Sequence, residues 1–452
     1  MQETTVDRTR LQAFVADERA TFRRRNPRSA RLAEQARQHM PDGVPMHWMT
    51  DWETPFPLFI ARACEASLID VDSNAYADFC LGDTGAMVGH APAPVVAASA
   101  SARGFTHMLP SEDAVVVAGL LAERFGLPFW QFAATATDAN RFAIRWARGI
   151  TGRKAVLVFD GCYHGTVDDS FVVLQDGTPA MKPGLIGQAY DLTEHSRVVP
   201  FNDEAALAAA LEPGDVAVVL TEPVLTNCGM VPPAPRFLDA VRRLTRRHGT
   251  LLHIDETHTI STGPGGYTAA HKLEPDFLTL GKPVAGGIPA AAYGFTAAVA
   301  DRIAQLRART PPGHSGIGTT LAAGALAMAA MRATLEKVLT ADAYVRMRKL
   351  ANQLEVGLVA ALGHHRLPWC VCRVGARLEL QYRRTPPRNA AEAAAAFDHD
   401  LAGAIRLGLL NRGVVITPFH NMLLVGPATT AADVDRLLSA FVDVLAELFG
   451  EP

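Results

Sequence analysis

The chain has 452 residues, 49% of them hydrophobic and 20% charged, with a formal net charge of −3. This is an ordinary globular composition, long enough for one large domain and a smaller one, and the charge gives no reason to expect a nucleic acid or an anionic membrane as partner. No stretch approaches the roughly 18 uninterrupted apolar residues that a membrane span requires.

In chain order, the first forty residues carry Arg23, Arg24 and Arg25 with no apolar core behind them, and hold Glu3, Asp7, Asp17 and Glu18. That argues against a secretory or transit leader, and a cytoplasmic setting is expected. Residues 29–39 read as a helix capped by Ser29, and 58–80 as strands of a hairpin turning near Asp72, Ser73 and Asn74. From 93 to 331, short apolar runs at 154–159, 216–220, 251–254 and 277–280 read as buried strands, and 137–149, 203–211 and 236–247 as the helices between them. The alternation predicts an α/β fold with a mainly parallel sheet and helices on both faces, in which ligands bind beyond the carboxyl ends of the strands. After 332, helices at 341–362, 390–412 and 431–449 enclose strands at 376–382 and 414–416, with a loop at 383–389. Residues 1–92 and 332–452 are therefore expected to build a small α+β domain around a large domain at 93–331. Cys64, Cys80, Cys162, Cys228, Cys370 and Cys372 show no metal-ligand spacing, so no metal is expected; Cys370 and Cys372 fall on one face of a strand and read as buried thiols in a reducing compartment.

Two strand ends carry chemistry. Lys282 ends the run at 277–280 in Thr279-Leu280-Gly281-Lys282-Pro283, and Asp255 ends the run at 251–254. Taken alone, such a lysine reads as a surface group or a phosphate contact. Together with a carboxylate at the mouth of a second strand it forms the pair that pyridoxal phosphate needs. The amine can form an imine with the cofactor aldehyde and serve as acid and base once released, while the carboxylate keeps the pyridine nitrogen protonated. Thr135-Ala136-Thr137 precede the helix holding Phe142, Ile144 and Trp146, where two hydroxyls and free amides suit a dianion, although a threonine there is also an ordinary N-cap. Gly161-Cys162-Tyr163-His164-Gly165 holds an aromatic ring able to lie flat on a planar cofactor.

These segments together resemble the class III aminotransferases of the fold-type I pyridoxal phosphate enzymes, in the branch containing glutamate-1-semialdehyde aminomutase and the β-phenylalanine aminotransferases. The resemblance runs from about residue 30 to the end and also draws on Glu222-Pro223-Val224, Asp255-Glu256 and Leu326-Ala327-Met328. It implies a mainly parallel seven-stranded sheet sandwiched by helices, with pyridoxal 5′-phosphate held in the large domain. By this resemblance Lys282 is the Schiff-base lysine, Asp255 the ring-nitrogen partner and Tyr163 the stacked aromatic. Thr135, Ala136 and Thr137 take the phosphate-loop positions, and Glu222 and Asn227 support the site from behind the ring. Thr320, in Gly318-Thr319-Thr320, looks like the threonine that reaches the phosphate of the neighbouring subunit, which implies a homodimer with shared sites.

The chain departs from the family pattern in three places. Thr257 stands where the family has a valine packed on the cofactor, and Ala136 stands where it has glycine. The arginine that often grips a substrate carboxylate is absent after Met40-Pro41-Asp42-Gly43; His47 and Trp48 offer an aromatic, weakly polar wall instead, with His420 in the later loop that shapes the pocket in relatives. Arg377 could substitute, but is expected to face solvent. His258 is expected to be a buried, hydrogen-bonded neighbour of Asp255 in preference to a proton-transfer group, since Lys282 already supplies the base. The activity implied is ping-pong transamination from an aromatic, hydrophobic or β-amino donor to a keto acid. An intramolecular aminomutase of the glutamate-1-semialdehyde type is the alternative, and a cofactor-binding protein without turnover is the reading from a different class.

Overall fold

Runs such as Val-Ala-Val-Val-Leu-Thr cannot lie on a sheet with one wet face, because every position is apolar or small and both faces must then be covered. The computed structural model describes residues 6–101 and 104–450 and shows that outcome. Its main sheet has seven strands: β1 (Phe129–Ala133), β2 (Ala155–Phe159), β3 (Ser196–Val199), β4 (Val216–Thr221), β5 (Leu251–Asp255), β6 (Phe277–Leu280) and β7 (Ala291–Phe295). They lie in the order β1-β7-β6-β5-β4-β2-β3. Strands β2 to β6 are parallel, whereas β7 runs antiparallel to both β6 and β1. The reversal follows from chain length: only residues 281–290 separate β6 from β7, and a parallel crossover needs a dozen or more. Every residue of β2, β4, β5, β6 and β7 is buried.

Helices α1 (Ala136–Thr151), α2 (Glu204–Leu211) and α3 (Phe237–His248) alternate with these strands. On α1, Phe142, Ile144, Trp146 and Ala147 are among the buried residues. Complete burial of an aliphatic or phenyl side chain contributes about 1.5–3 kcal/mol. Asp255 pairs in register with Thr279 on β6, so the carboxyl ends of β5 and β6 open on the same edge of the sheet. The chain divides into two units, and this sheet belongs to the one formed by residues 93–341 and 387–394.

The other unit joins the residues before 93 to 342–386 and those from 395 onward. Strands Ile60–Cys64, Ser67–Asp70 and Ala75–Asp78 form an antiparallel meander, extended in parallel by Val414–Val415. Asp70 organises its turn by accepting from the amides of Asp72 and Asn74. A second sheet has Arg377–Gln381 as its central strand, and the longest helices are Arg8–Arg25, Ala341–His364 and Ala431–Phe449.

Three expectations are corrected. The early helix spans Pro27–Ala36 with Asn26 at its N-cap and proline at its first position, and Ser29 lies buried inside it. The segment expected as one helix at 390–412 is two, Ala390–Ala396 and His399–Asn411, because the Asp398 side chain caps the second by accepting from the Leu401 amide. Arg377 does not face solvent. It is fully buried and donates to the Thr84 hydroxyl, since the central strand that carries it is covered on both faces.

Candidate active site

Parallel strands leave unpaired backbone and side chains at their carboxyl ends, and here the ends of β2, β4, β5 and β6 converge around Asp255. Its Oδ2 accepts from Asn140 Nδ2 at 2.8 Å and faces His164 Nδ1 at 3.0 Å, while its Oδ1 accepts from the Thr257 amide at 3.0 Å. Burial alone would raise this carboxyl, but the His164 hydrogen bond and charge, with the bonds from Thr257 and Asn140, hold it well below the usual carboxylate range. Burial likewise opposes a charge on His164, and Cys162 and Asp255 outweigh it, lifting the imidazole to about 10. Asp255 is thus favoured as an anion, with the His164 imidazole and two amides, those of Asn140 and Thr257, fixing its plane. Neither Asn140 nor His164 was singled out from the sequence as a partner of Asp255. The signal available was a polar residue on the apolar stripe of α1, where Asn140 sits fully buried beside Ala139 and Ala143.

Lys282 opens a short 3-10 turn, Lys282–Ala285, with its own backbone in the left-handed region at φ 45°. Its Nζ contacts His258 Nε2. On the far side of that ring, Nδ1 lies 2.6 Å from Thr226 Oγ1, which donates at 2.5 Å to Glu222 Oε2. Glu222 also accepts from the Thr226 amide and from Asn227 Nδ2, and burial raises its carboxyl. His258 is therefore buried and hydrogen-bonded as expected, but its partners are Lys282 and Thr226.

The start of α1 is shaped by steric fit. Thr135 is an N-cap whose hydroxyl accepts from the Asp138 amide and donates to the Asp138 carboxylate, so that hydroxyl serves the helix itself. The amides of Ala136 and Thr137 belong to the first turn, which has no acceptors within a helix. Thr137 Oγ1 accepts from the Thr166 amide at 3.2 Å. Gly165, at φ 79°, leaves room for that hydroxyl, since a Cβ there would stand 2.0 Å from it. A Cβ on Gly281 would stand 2.7 Å from the Ala136 methyl, so the alanine that replaces the family's glycine is accommodated by the glycine before Lys282. Tyr163 is 41% exposed, with its amide 3.5 Å from Glu222 Oε1 and the Lys182 ammonium 6.0 Å from its ring centroid. Thr320 is exposed in the stretch before the helix Ala325–Ala333.

The remaining candidates belong to the other unit. His47 and Trp48 lie in a short 3-10 helix, His47–Thr50, and the Trp48 ring meets Phe419 edge-on at 6.2 Å. His420 is buried with Nδ1 2.7 Å from Glu379 Oε2, and the Asn421 amide donates to the same carboxylate, so the imidazole is held by its own sheet.

The residues around Asp255 fit pyridoxal phosphate. A fixed buried anion suits a protonated ring nitrogen. Thr257 Oγ1, buried with no hydrogen-bond partner among the described residues, and the cradle left by Gly165 beside Thr137 suit a polar ligand at the start of α1. Asp255 would hold the ring, Thr137 and the first amides of α1 the phosphate, and Lys282 the aldehyde carbon; the bound group supplies an electron sink for a substrate carbanion.

Comparison with known proteins agrees. The family model for class III aminotransferases matches residues 48–445. A glutamate-1-semialdehyde 2,1-aminomutase of Sorangium cellulosum is 37% identical over 399 residues, covering 86% of this chain and 89% of the relative. Among solved structures, a glutamate-1-semialdehyde-aminomutase from Pseudomonas aeruginosa PAO1 superposes with a TM-score of 0.96 at 48% identity, over 98% of this chain and 99% of that one. A β-phenylalanine aminotransferase from Variovorax paradoxus follows with a TM-score of 0.85 at 28% identity, over 96% and 97% of the two chains. With this sheet, this lysine and this carboxylate, the chain belongs to the class III aminotransferases, fold-type I enzymes that depend on pyridoxal phosphate.

Proposed function

We propose that this enzyme exchanges an amino group between neighbouring carbons of one bound substrate, in the manner of an aminomutase, with Lys282 carrying the proton. The observation that supports this most is the near-complete match, at 48% identity, to the Pseudomonas aeruginosa aminomutase. It is the reading that stood second on sequence alone. The residues demand nothing different: one lysine that serves as acid and base and one fixed anion suffice for both half-reactions if the intermediate stays bound. Asn227, Glu222 and Thr257 surround the ring, and the enzyme works as a homodimer in which Thr320 completes the neighbouring site.

Intermolecular transamination from an aromatic or β-amino acid is the second reading, and a specific feature favours it. The segment Val44-Pro45-Met46-His47-Trp48 has no arginine to hold a carboxylate, and it presents Trp48 against Phe419. Purified holoenzyme given glutamate 1-semialdehyde without a keto acid should form the isomer with the amino group on the adjacent carbon. No isomer, with β-phenylalanine instead leaving the amino group on the cofactor until a keto acid removes it, would replace the first reading by the second.

A further inference from the structure

The chain of contacts from Lys282 through His258 and Thr226 to Glu222 goes beyond what a cofactor-holding lysine requires. Its directions can be assigned by satisfying each atom in turn. Glu222 lies among donors, the Thr226 amide at 3.1 Å and Asn227 Nδ2 at 3.3 Å, so its Oε2 is the acceptor at 2.5 Å from Thr226 Oγ1. The hydroxyl proton points at Glu222, so Thr226 Oγ1 must accept from His258 Nδ1–H at 2.6 Å. The proton on Nδ1 leaves Nε2 as a lone pair, and that lone pair is what meets Lys282 Nζ. Every hydrogen bond along the line thus runs away from the lysine and toward the carboxylate.

We infer that His258 is a positioning residue that accepts a proton from Lys282, with Thr226 and Glu222 holding the resulting imidazolium. In this step an N–H bond at Nζ breaks, an N–H bond at His258 Nε2 forms, and the electron pair stays on Nζ. The neutral amine is the form that attacks a carbonyl or accepts a proton from carbon. The charged groups around the ring come from four strand ends: His164 after β2, Glu222 after β4, Asp255 at the end of β5 with Glu256 following it, and Lys282 after β6. Asp255 is matched by His164 and Asn140, and Glu256 by Thr259, Tyr267 and Thr268, which leaves Glu222 as the anion linked by hydrogen bonds to His258. The inference rests on the pyridoxal phosphate chemistry of Lys282, and not on which amino-group reaction follows.

The test uses the full chain freed of cofactor and follows by absorbance the rate at which Lys282 takes up pyridoxal phosphate, from acid to alkaline pH. Before Lys282 can attack, its ammonium must lose a proton. With His258 as acceptor, uptake proceeds at lower pH than it would with water alone. His258→Gln should move the acid limb of the profile up by one pH unit or more, lowering the rate at pH 7 about tenfold, with the two profiles converging at alkaline pH. Thr226→Val, which keeps the imidazole but removes its link to Glu222, should move the limb the same way by less. A rate lowered equally at every pH, or two unmoved profiles, would overturn the relay. If His258→Gln does not fold, Thr226→Val decides alone on the same criterion. A parent chain that forms no covalent absorbance band would instead sink the pyridoxal phosphate reading, and the relay with it.

Discussion

Lys282, the residue proposed to form the imine, has a left-handed backbone, a conformation that costs a non-glycine residue about 1–2 kcal/mol. Strain of this kind persists where the surroundings fix it, and here Gly281 against Ala136 and the buried turn at Pro283 do so. Lys282→Ala should lower turnover by about 10²–10⁴ or more, by removing the acid and base, and abolish the covalent absorbance band while leaving the thermal midpoint near the parent's. A variant that retained both turnover and band would show that another amine does the work. Two buried histidines that feel the charge of Asp255 make a separate prediction about pH. His164, held up to about 10, favours folding fully below the ordinary imidazole value near 6.5 and loses that contribution as pH rises through 10. His253, fully buried in β5 and held down to about 3 by burial, works the other way: above 6.5 it costs nothing, and its cost grows as pH falls toward 3. Unfolding midpoints in urea should therefore fall on both sides of about pH 6.5. His164→Gln should flatten the alkaline limb between pH 7 and 9, and an unchanged slope would mean that this imidazole is not charged in the fold. Lys282 and Asp255 could be read from the sequence because each ends an apolar run. His164 and Asn140 could not be assigned to Asp255, since only the packing of α1 on the strand ends brings positions 140, 164 and 255 together.

At the scale of elements, the legible parts were those whose burial is uniform. The runs at 216–220, 251–254 and 277–280 are apolar at nearly every position and became β4, β5 and β6, and the amphipathic segments became α1, α2 and α3. The strands β1, β3 and β7 were not recognised. Ala-Ala-Tyr-Gly-Phe has little β-propensity of its own, and it forms a strand because β1 and β6 flank it on both sides. The long amphipathic helix Arg8–Arg25, with mostly exposed charges, was passed over as well, and the break at Asp398 was hidden inside a run of helix-favouring alanines. The turn between β2 and the 3-10 turn Asp168–Ser170 is set by glycine instead of by hydrophobic pattern. Gly165→Ala places a methyl against the Thr137 hydroxyl at a backbone angle that alanine resists. Cofactor affinity measured by equilibrium dialysis should drop about tenfold or more, the loss expected when about 1.4 kcal/mol of phosphate contact is displaced. Undiminished affinity would remove this turn and Thr137 from the phosphate site.

For the whole molecule, the unit that carries the main sheet leaves large apolar side chains in water. Phe105, Met108, Leu109 and Leu321 are each at least 65% exposed, and the Leu326 amide donates to the Phe105 carbonyl, which brings the two segments side by side. Monomeric proteins rarely present such a patch. Thr320 adjoins Leu321, so a second copy covering this patch would meet the residue proposed to complete a neighbouring site. That arrangement makes a quantitative prediction from two impaired variants. Lys282→Ala removes the reacting amine from its own site, whereas Thr320→Ala would weaken the phosphate contact in its partner's site. In a mixed dimer, one site then carries both lesions and the other carries neither. Unfolding the two variants together and refolding them one to one should give mixed dimers in about half of all pairs, each with one intact site, and so restore about a quarter of parental sites. Recovery of turnover and of covalently held cofactor to that level, above the average of the separate variants, is the expected result. If Lys282 and Thr320 served the same site within one subunit, no mixed dimer would contain an intact site, and turnover would stay at the average of the two separate variants.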